Sequence, residues 1–361
     1  MQIDDLLTAP QYSLAQSEKD ALLAEGLAAL TAHHRKRCPP YAKLLAVLYP
    51  ERRAIEVPAD APWLPVSLFK SHALRSIPED AVFKTLTSSG TTSAAVSRVF
   101  LDADSAARQT RALVSIMGHL LGRTRLPMII VDKPSVVRDR RSFSARGAGV
   151  LGMSTFGRDH FYALDDDMGL DRAGLARFLA RHAGEDLLVF GFTFMVWQYL
   201  SAAAQPGEFD LSLASLIHSG GWKKLEENAV SNASFKQSLR DRLGCTRVHN
   251  FYGMVEQIGS VYLECEQGLL HAPNFADVII RDPFTWQEAA RGETGVIQVV
   301  SLLPTSYPGH SILTEDLGAV VARDHCRCGR RGSAVTVLGR IPKAELRGCS
   351  DTHVVDQPLA A

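Results

Sequence analysis

Between Lys84 and Asp102 five hydroxyl side chains, Thr87, Ser88, Ser89, Thr91 and Thr92, crowd around Gly90. Main-chain N–H groups and hydroxyls at this density offer several donors to an anion, and a residue without a Cβ lets the backbone close on it. The chemistry suggested is binding of a nucleotide triphosphate. It is not the lysine-bearing Walker loop, because no Gly-x-x-x-x-Gly-Lys-Ser/Thr occurs. Taken alone the stretch reads equally as a Ser/Thr-rich surface turn. More loops carry suitable groups: Gly220-Gly221, Tyr252-Gly253-x-x-Glu256, Asp316 ahead of Gly318, and Gly339-Arg340. Singly, Asp316 is a strand-end turn and Glu256 a solvated charge. The thiols form a separate set. Cys265 precedes His271, and Cys326 and Cys328 follow far downstream. Three thiols and an imidazole suit a structural Zn²⁺, the alternative being buried, unligated cysteines. A catalytic zinc is disfavoured because four protein ligands close the coordination sphere. Cys349 lies between Arg347-Gly348 and Ser350-Asp351. A nearby guanidinium favours its thiolate, a strong nucleophile, although an inert thiol beside a structural arginine has the same sequence.

The elements that must position these groups alternate. Helical patterns over 102–121, 170–183, 193–204 and 223–243 are interleaved with apolar strand runs at 127–131, 187–190, 216–218 and 246–249. That alternation predicts an α/β fold, mostly parallel sheets flanked by helices, with ligands at the carboxyl ends of the strands. The glycine loop at 220–221 and the loop at 252–256 fall at such ends. Residues 1–80 read as helical with Pro-rich breaks. After about residue 259 short strands separated by Gly and Pro turns predict a smaller β-rich subdomain. The expected division is a core over 1–338 (1–80 helical, 81–258 α/β, 259–338 β-rich) and a short tail over 339–361.

The chain has 361 residues, 46% hydrophobic and 22% charged, with 39 Lys+Arg balanced by 39 Asp+Glu. Zero formal charge argues against a polyanionic partner, so no nucleic acid is expected. No apolar run is long enough to span a bilayer, and the acidic start Met-Gln-Ile-Asp-Asp lacks the basic region of a secretory signal; a cytoplasmic protein is expected. The six cysteines then read as free thiols, ligands or catalytic groups.

Taken in order, these loops resemble the adenylate-forming superfamily of acyl-CoA ligases and peptide-synthetase adenylation domains. Val66 to Lys70, Ser88 to Asp102, Asn250 to Gln257, Ser306 to Gly318 and Gly339 to Asp351 resemble one short branch, the acyl-protein synthetases (long-chain-fatty-acid luciferin-component ligases) of bacterial luminescence. The resemblance implies the fold of the adenylate-forming N-terminal domain. It also implies MgATP-dependent formation of an acyl-AMP from a fatty or aromatic carboxylic acid. Ser88, Ser89, Gly90, Thr91 and Thr92 would cradle phosphates, Glu256 would hold Mg²⁺, Tyr252 with Gly253 would lie against adenine, and Gly220-Gly221 would run along its other side. Asp316 would accept the ribose hydroxyls, and Arg340 would contact ribose or phosphate. Cys349 is implied as acceptor of the acyl group, before transfer to a reductase partner. The alternative is direct ligation to CoA or a carrier protein without Cys349, and a reading from another class is a non-catalytic nucleotide-binding subunit. Only a short stretch follows Arg340, so the large C-terminal lid of acyl-CoA ligases is expected to be largely missing, with Lys343 a partial substitute for the lid lysine. Phenylacetate-CoA-ligase-like members carry a Glu-Cys-Glu…Leu-His…Cys-x-Cys-Gly pattern similar to the one around Cys265, His271, Cys326 and Cys328, which implies bound zinc.

Overall fold

The computed structural model describes residues 3–51, 53–88, 96–137, 145–222 and 230–341. Its frame is a 12-stranded sheet. Five strands are parallel neighbours: β5 (Gly157–Tyr162), β4 (Leu126–Ile130), β6 (Leu187–Phe192), β7 (Ala214–Ser219) and β8 (Arg247–Tyr252), in that spatial order. The hydrogen bonding then turns antiparallel through β9 (Tyr262–Glu264), β10 (Leu270–His271), β14 (Ser333–Arg340), β13 (Ser311–Arg323), β12 (Gly295–Ser301) and β11 (Ala276–Arg281). The two-residue β1 (Leu64–Pro65) runs parallel to β13, and β2 (Lys84–Thr87) pairs with β3 (Arg98–Leu101) as a separate ribbon.

Alternation fixes both faces of the parallel half. In β4, Met128 and Ile130 enter one core while Ile129, with Val131 just past the strand, enters the other; β6 divides Leu188 and Phe190 from Leu187 and Val189 in the same way. A parallel strand covered by helices on both sides needs such an apolar run, which is why these strands are visible in the sequence. The helix Ala103–Leu121 starts where Asp102 Oδ1 accepts the Ser105 N–H at 2.7 Å. The predicted helix from 193 is instead one short turn, Thr193–Met195, that widens into a π-turn over Val196–Ser201. The predicted helix over 223–243 is seen as Asn232–Leu243, with residues 223–229 outside the described ones. Among the described residues no helix is long and apolar enough to cross a membrane.

The N-terminal helix Gln16–Arg37 packs on the antiparallel half and is bound at both ends by side chains. Asp324, in the turn between β13 and β14, accepts the Gln16 N–H at 2.9 and 3.0 Å, and Lys19 pairs with buried Asp277 at 3.5 Å. At the far end His34 reaches Ser76 (2.7 Å) and the Pro304 carbonyl (3.1 Å), and its ring stacks on His310 with centroids 4.9 Å apart. Burial pushes His34 down to about 2 and His310 to about 3, from 6.5. Both rings are therefore neutral when folded, whereas the unfolded chain takes protons below pH 6.5. Their contribution to stability is complete above 6.5 and declines as pH falls toward the folded values. Each ring is expected to remove about 1.4 kcal/mol of unfolding free energy per pH unit below 6.5. Urea unfolding at pH 7.5 and at pH 5 checks this; equal stabilities at the two values would contradict it.

Candidate active site and metal cluster

β7 and β8 end side by side, and their loops are tied where the Ser219 hydroxyl donates to the Phe251 carbonyl at 2.9 Å. Gly220 follows with φ of +83°, a conformation that favours glycine, and a Cβ there would lie 3.3 Å from the Phe192 ring. Gly220, Gly221 and Gly253 are exposed at this edge. Tyr252 crosses to the antiparallel half, where its hydroxyl donates to Asp316 Oδ2 at 2.7 Å. Asp316 sits on β13 directly opposite Arg340 on β14. Its own N–H donates to Thr314 Oγ1 at 3.1 Å, which in turn donates to the Ile297 carbonyl at 2.8 Å.

Burial raises the Asp316 carboxyl above the usual carboxylate range, opposed by the Tyr252 hydrogen bond and the Arg340 charge. The same burial, reinforced by the Asp316 charge, pushes the Tyr252 phenol far up, so it stays protonated as a donor. The second oxygen of Asp316 has no bond comparable to the Tyr252 contact among the described residues. Strand register, not sequence proximity, thus assembles Tyr252, Asp316 and Arg340.

Glu256 is buried in the single turn Val255–Gln257. Among the described residues no cation lies at ion-pair distance from its carboxylate, and a buried carboxylate left so has the chemistry of a ligand for a hard cation. Ser88 lies at the neck of the β2–β3 ribbon, its hydroxyl accepting the Ser97 N–H at 3.0 Å. Ser89, Gly90, Thr91, Thr92, Lys343 and Cys349 lie outside the described residues.

Cys265, His271, Cys326 and Cys328 come together with their ligand atoms all within 4.8 Å of one another. β10 pairs with both β9 and β14, which carries His271 to the turn after β9 and to the Cys326–Cys328 turn before β14. Cys265 Sγ is 3.9 Å from Cys326 Sγ, and Cys328 Sγ is 3.4 Å from His271 Nε2. Tetrahedral zinc with Zn–S of about 2.3 Å and Zn–N of about 2.0 Å requires ligand–ligand separations close to these. Burial and the neighbouring thiols push Cys328 up to about 12. A divalent cation reverses that balance by favouring thiolates. Asp324, close to the cluster in sequence, is engaged elsewhere, holding the Gln16 and Gly332 (2.8 Å) N–H groups.

His310 and Trp197 pack in the interior. His310 turns toward Thr31 (3.0 Å) and Tyr41 on the N-terminal helices. Trp197 stacks on Phe235 and edges Trp222. Cys245 is a buried free thiol pushed up to about 12 by burial.

This architecture is that of the adenylate-forming ligases. An open conformation of 2-hydroxyisobutyryl-CoA ligase, solved in complex with 2-HIB-AMP and CoA, superimposes with a TM-score of 0.68 at 16% identity over 92% of this chain and 77% of that one. The postadenylation state of the same ligase gives 0.67 at 15% identity, over 91% and 69%. The sequence profile described as "Acyl-protein synthetase, LuxE" matches residues 1–359. The chain belongs to the acyl-protein synthetase family, and its class is that of an ATP-dependent acid ligase. Two long-chain-fatty-acid–luciferin-component ligases are relatives. That of Vibrio harveyi is 22% identical over 97% of this chain and 92% of its own length. That of Aliivibrio fischeri is 23% identical over 52% of this chain, a match spanning half (50%) of that protein.

Proposed function

We propose that this protein joins a carboxylic acid to the α-phosphate of ATP, releasing pyrophosphate, and then passes the acyl group to a thiol with release of AMP. The observation that carries the reading is the meeting of Tyr252, Asp316 and Arg340 beside the Gly220-Gly221 turn, at the carboxyl ends of β7 and β8. This sheet edge offers a tyrosine ring and exposed main chain to a purine, a carboxylate acceptor to a ribose diol, and a guanidinium to phosphate. Ser88 with Ser89, Gly90, Thr91 and Thr92 supplies phosphate donors. Glu256 would hold Mg²⁺, whose charge lets the two anionic reactants approach. The fold division into a 1–338 core and a 339–361 tail belongs to the same reading.

Cys349 is the proposed first acceptor: its thiolate sulfur attacks the acyl carbonyl, a thioester forms, and the acyl–phosphate bond breaks with AMP leaving. A reductase, a carrier protein or CoA then takes the acyl group. Long-chain fatty acid is the substrate that the relatives' names point to, and a cytoplasmic setting fits it. Cys265, His271, Cys326 and Cys328 would hold a structural Zn²⁺.

Carboxylate-dependent ATP–pyrophosphate exchange across a panel of fatty and aromatic acids tests the first step. The absence of exchange with every acid would favour a non-catalytic nucleotide-binding subunit. With an active acid in hand, Cys349→Ser is expected to keep exchange but to lose the labelled acyl-enzyme. Persistent labelling would place the acyl group on another side chain, and unimpaired thioester formation with CoA would instead identify direct ligation.

A further inference from the structure

Gln257 adjoins Glu256 in the same turn and is 1% exposed. Its amide is used at every position the fold can supply. Nε2 donates to the Gly309 carbonyl at 3.0 Å and to the Val299 carbonyl at 3.2 Å, while Oε1 accepts the Tyr262 hydroxyl at 3.2 Å. The Tyr262 hydroxyl also reaches the Asp277 carbonyl at 3.2 Å, and the Gln257 N–H closes the turn on the Met254 carbonyl at 3.2 Å. One side chain therefore fixes the turn against β12, the 307–310 loop and β9.

That loop closes over Glu256 from the other side. A Cβ on Gly309 would lie 2.5 Å from the Glu256 carbonyl, so the two segments are in direct main-chain contact. Leucine or methionine would fill the same volume. Only an amide, with two donors and an acceptor in one plane, links two main-chain carbonyls to the Tyr262 hydroxyl and sets the rotation of the turn. A buried amide in this state costs several interactions when lost, because its partners are left unpaired.

We infer that Gln257 is a positioning residue for Glu256: it holds the turn so that the neighbouring carboxylate meets the nucleotide-bound divalent cation. The inference rests on the MgATP reading above. Loss of a partner bonded directly to a metal ligand typically alters cation affinity by about ten- to a hundredfold, and Gln257, which acts through the main chain of the turn, is expected at the lower end of that range.

Calorimetric titration of ATP separates a positioning role from a merely structural one. Wild-type protein, Gln257→Leu and Gln257→Glu are each titrated with ATP in Mg²⁺ and with ATP in EDTA. The expected result is a roughly tenfold loss of affinity in Mg²⁺ for both variants, with the EDTA values unchanged. Unchanged affinity in Mg²⁺, or an equal loss in both buffers, overturns the inference. If neither Gln257 variant folds, Tyr262→Phe removes one of the three amide bonds without changing volume. It should shift the Mg²⁺ value in the same direction by less, and no shift there overturns the inference too. Wild-type protein whose ATP affinity ignores Mg²⁺ would overturn the underlying MgATP reading instead.

Discussion

Asp316→Ala is expected to raise the KM for ATP in pyrophosphate exchange by about a hundredfold, with kcat changed far less. The reasoning starts from charge. Asp316 is half-buried, faces Arg340 across the β13–β14 ladder, and accepts one hydrogen bond from Tyr252, leaving an oxygen for a ligand hydroxyl. Hydrogen bonds to a charged acceptor are worth about 1.5–3 kcal/mol, and loss of one such contact to a ribose, at about 2.7 kcal/mol, gives the stated factor. Because ribose does not change during the reaction, the loss is of uniform binding and falls on KM. Asp316→Asn keeps an acceptor oxygen without the charge and should lie between. Tyr252→Phe should cost less than either, since its hydroxyl holds Asp316 and does not itself receive the sugar. A KM for Asp316→Ala within threefold of wild type, in protein with a normal melting curve, would remove Asp316 from the nucleotide site.

The largest stability effect is expected at the metal cluster. Purified protein should contain one zinc per chain, and Cys328→Ser or exhaustive chelation should lower the melting temperature by about 10 °C. A ligand present at a thousandfold excess over its Kd stabilises by about 4 kcal/mol, which sets the scale. The cluster joins the turn after β9, the end of β10 and the β13–β14 turn, so its loss frees three chain segments at once. The same turn carries Asp324, the acceptor for the first N–H of the Gln16–Arg37 helix, so loosening it should reach the N-terminal helix as well. Hydrogen exchange would then show lost protection at 16–20 together with 324–332. Substoichiometric zinc with a chelator-insensitive melting curve would dispose of the cluster as a metal site.

How much of this was legible follows from what each element buries. β4, β6, β7 and β8 are apolar because both faces are covered, and their runs show plainly in the sequence. β5 escaped because it is an edge strand whose Arg158, Asp159 and His160 are exposed, so no apolar run marks it. The π-turn after Thr193 leaves an apolar pattern that a straight helix would also produce. The metal ligands could be picked out by type, yet only the pairing of β10 with two partners explains how Cys265 meets Cys326. Tyr252 and Asp316 were singled out separately. Their 2.7 Å contact depends on a change from parallel to antiparallel bonding between β8 and β9 that no local pattern announces. Gln257 carries no sequence signal of its role, because an amide beside a carboxylate looks like ordinary loop polarity until two main-chain carbonyls and the Tyr262 hydroxyl are seen to converge on it.

The Asp324 contact also bears on how the chain is made. Gln16 finds its acceptor 308 positions downstream, and its side chain bonds Ser333 across 317 positions. During synthesis the helix therefore emerges long before the acceptor that caps it and the strands it packs on. Long-range closure of this kind is slow, and exposed apolar faces invite association in the interval. Nascent protein truncated before residue 324 should accordingly remain bound to chaperones, and release should coincide with translation of β14.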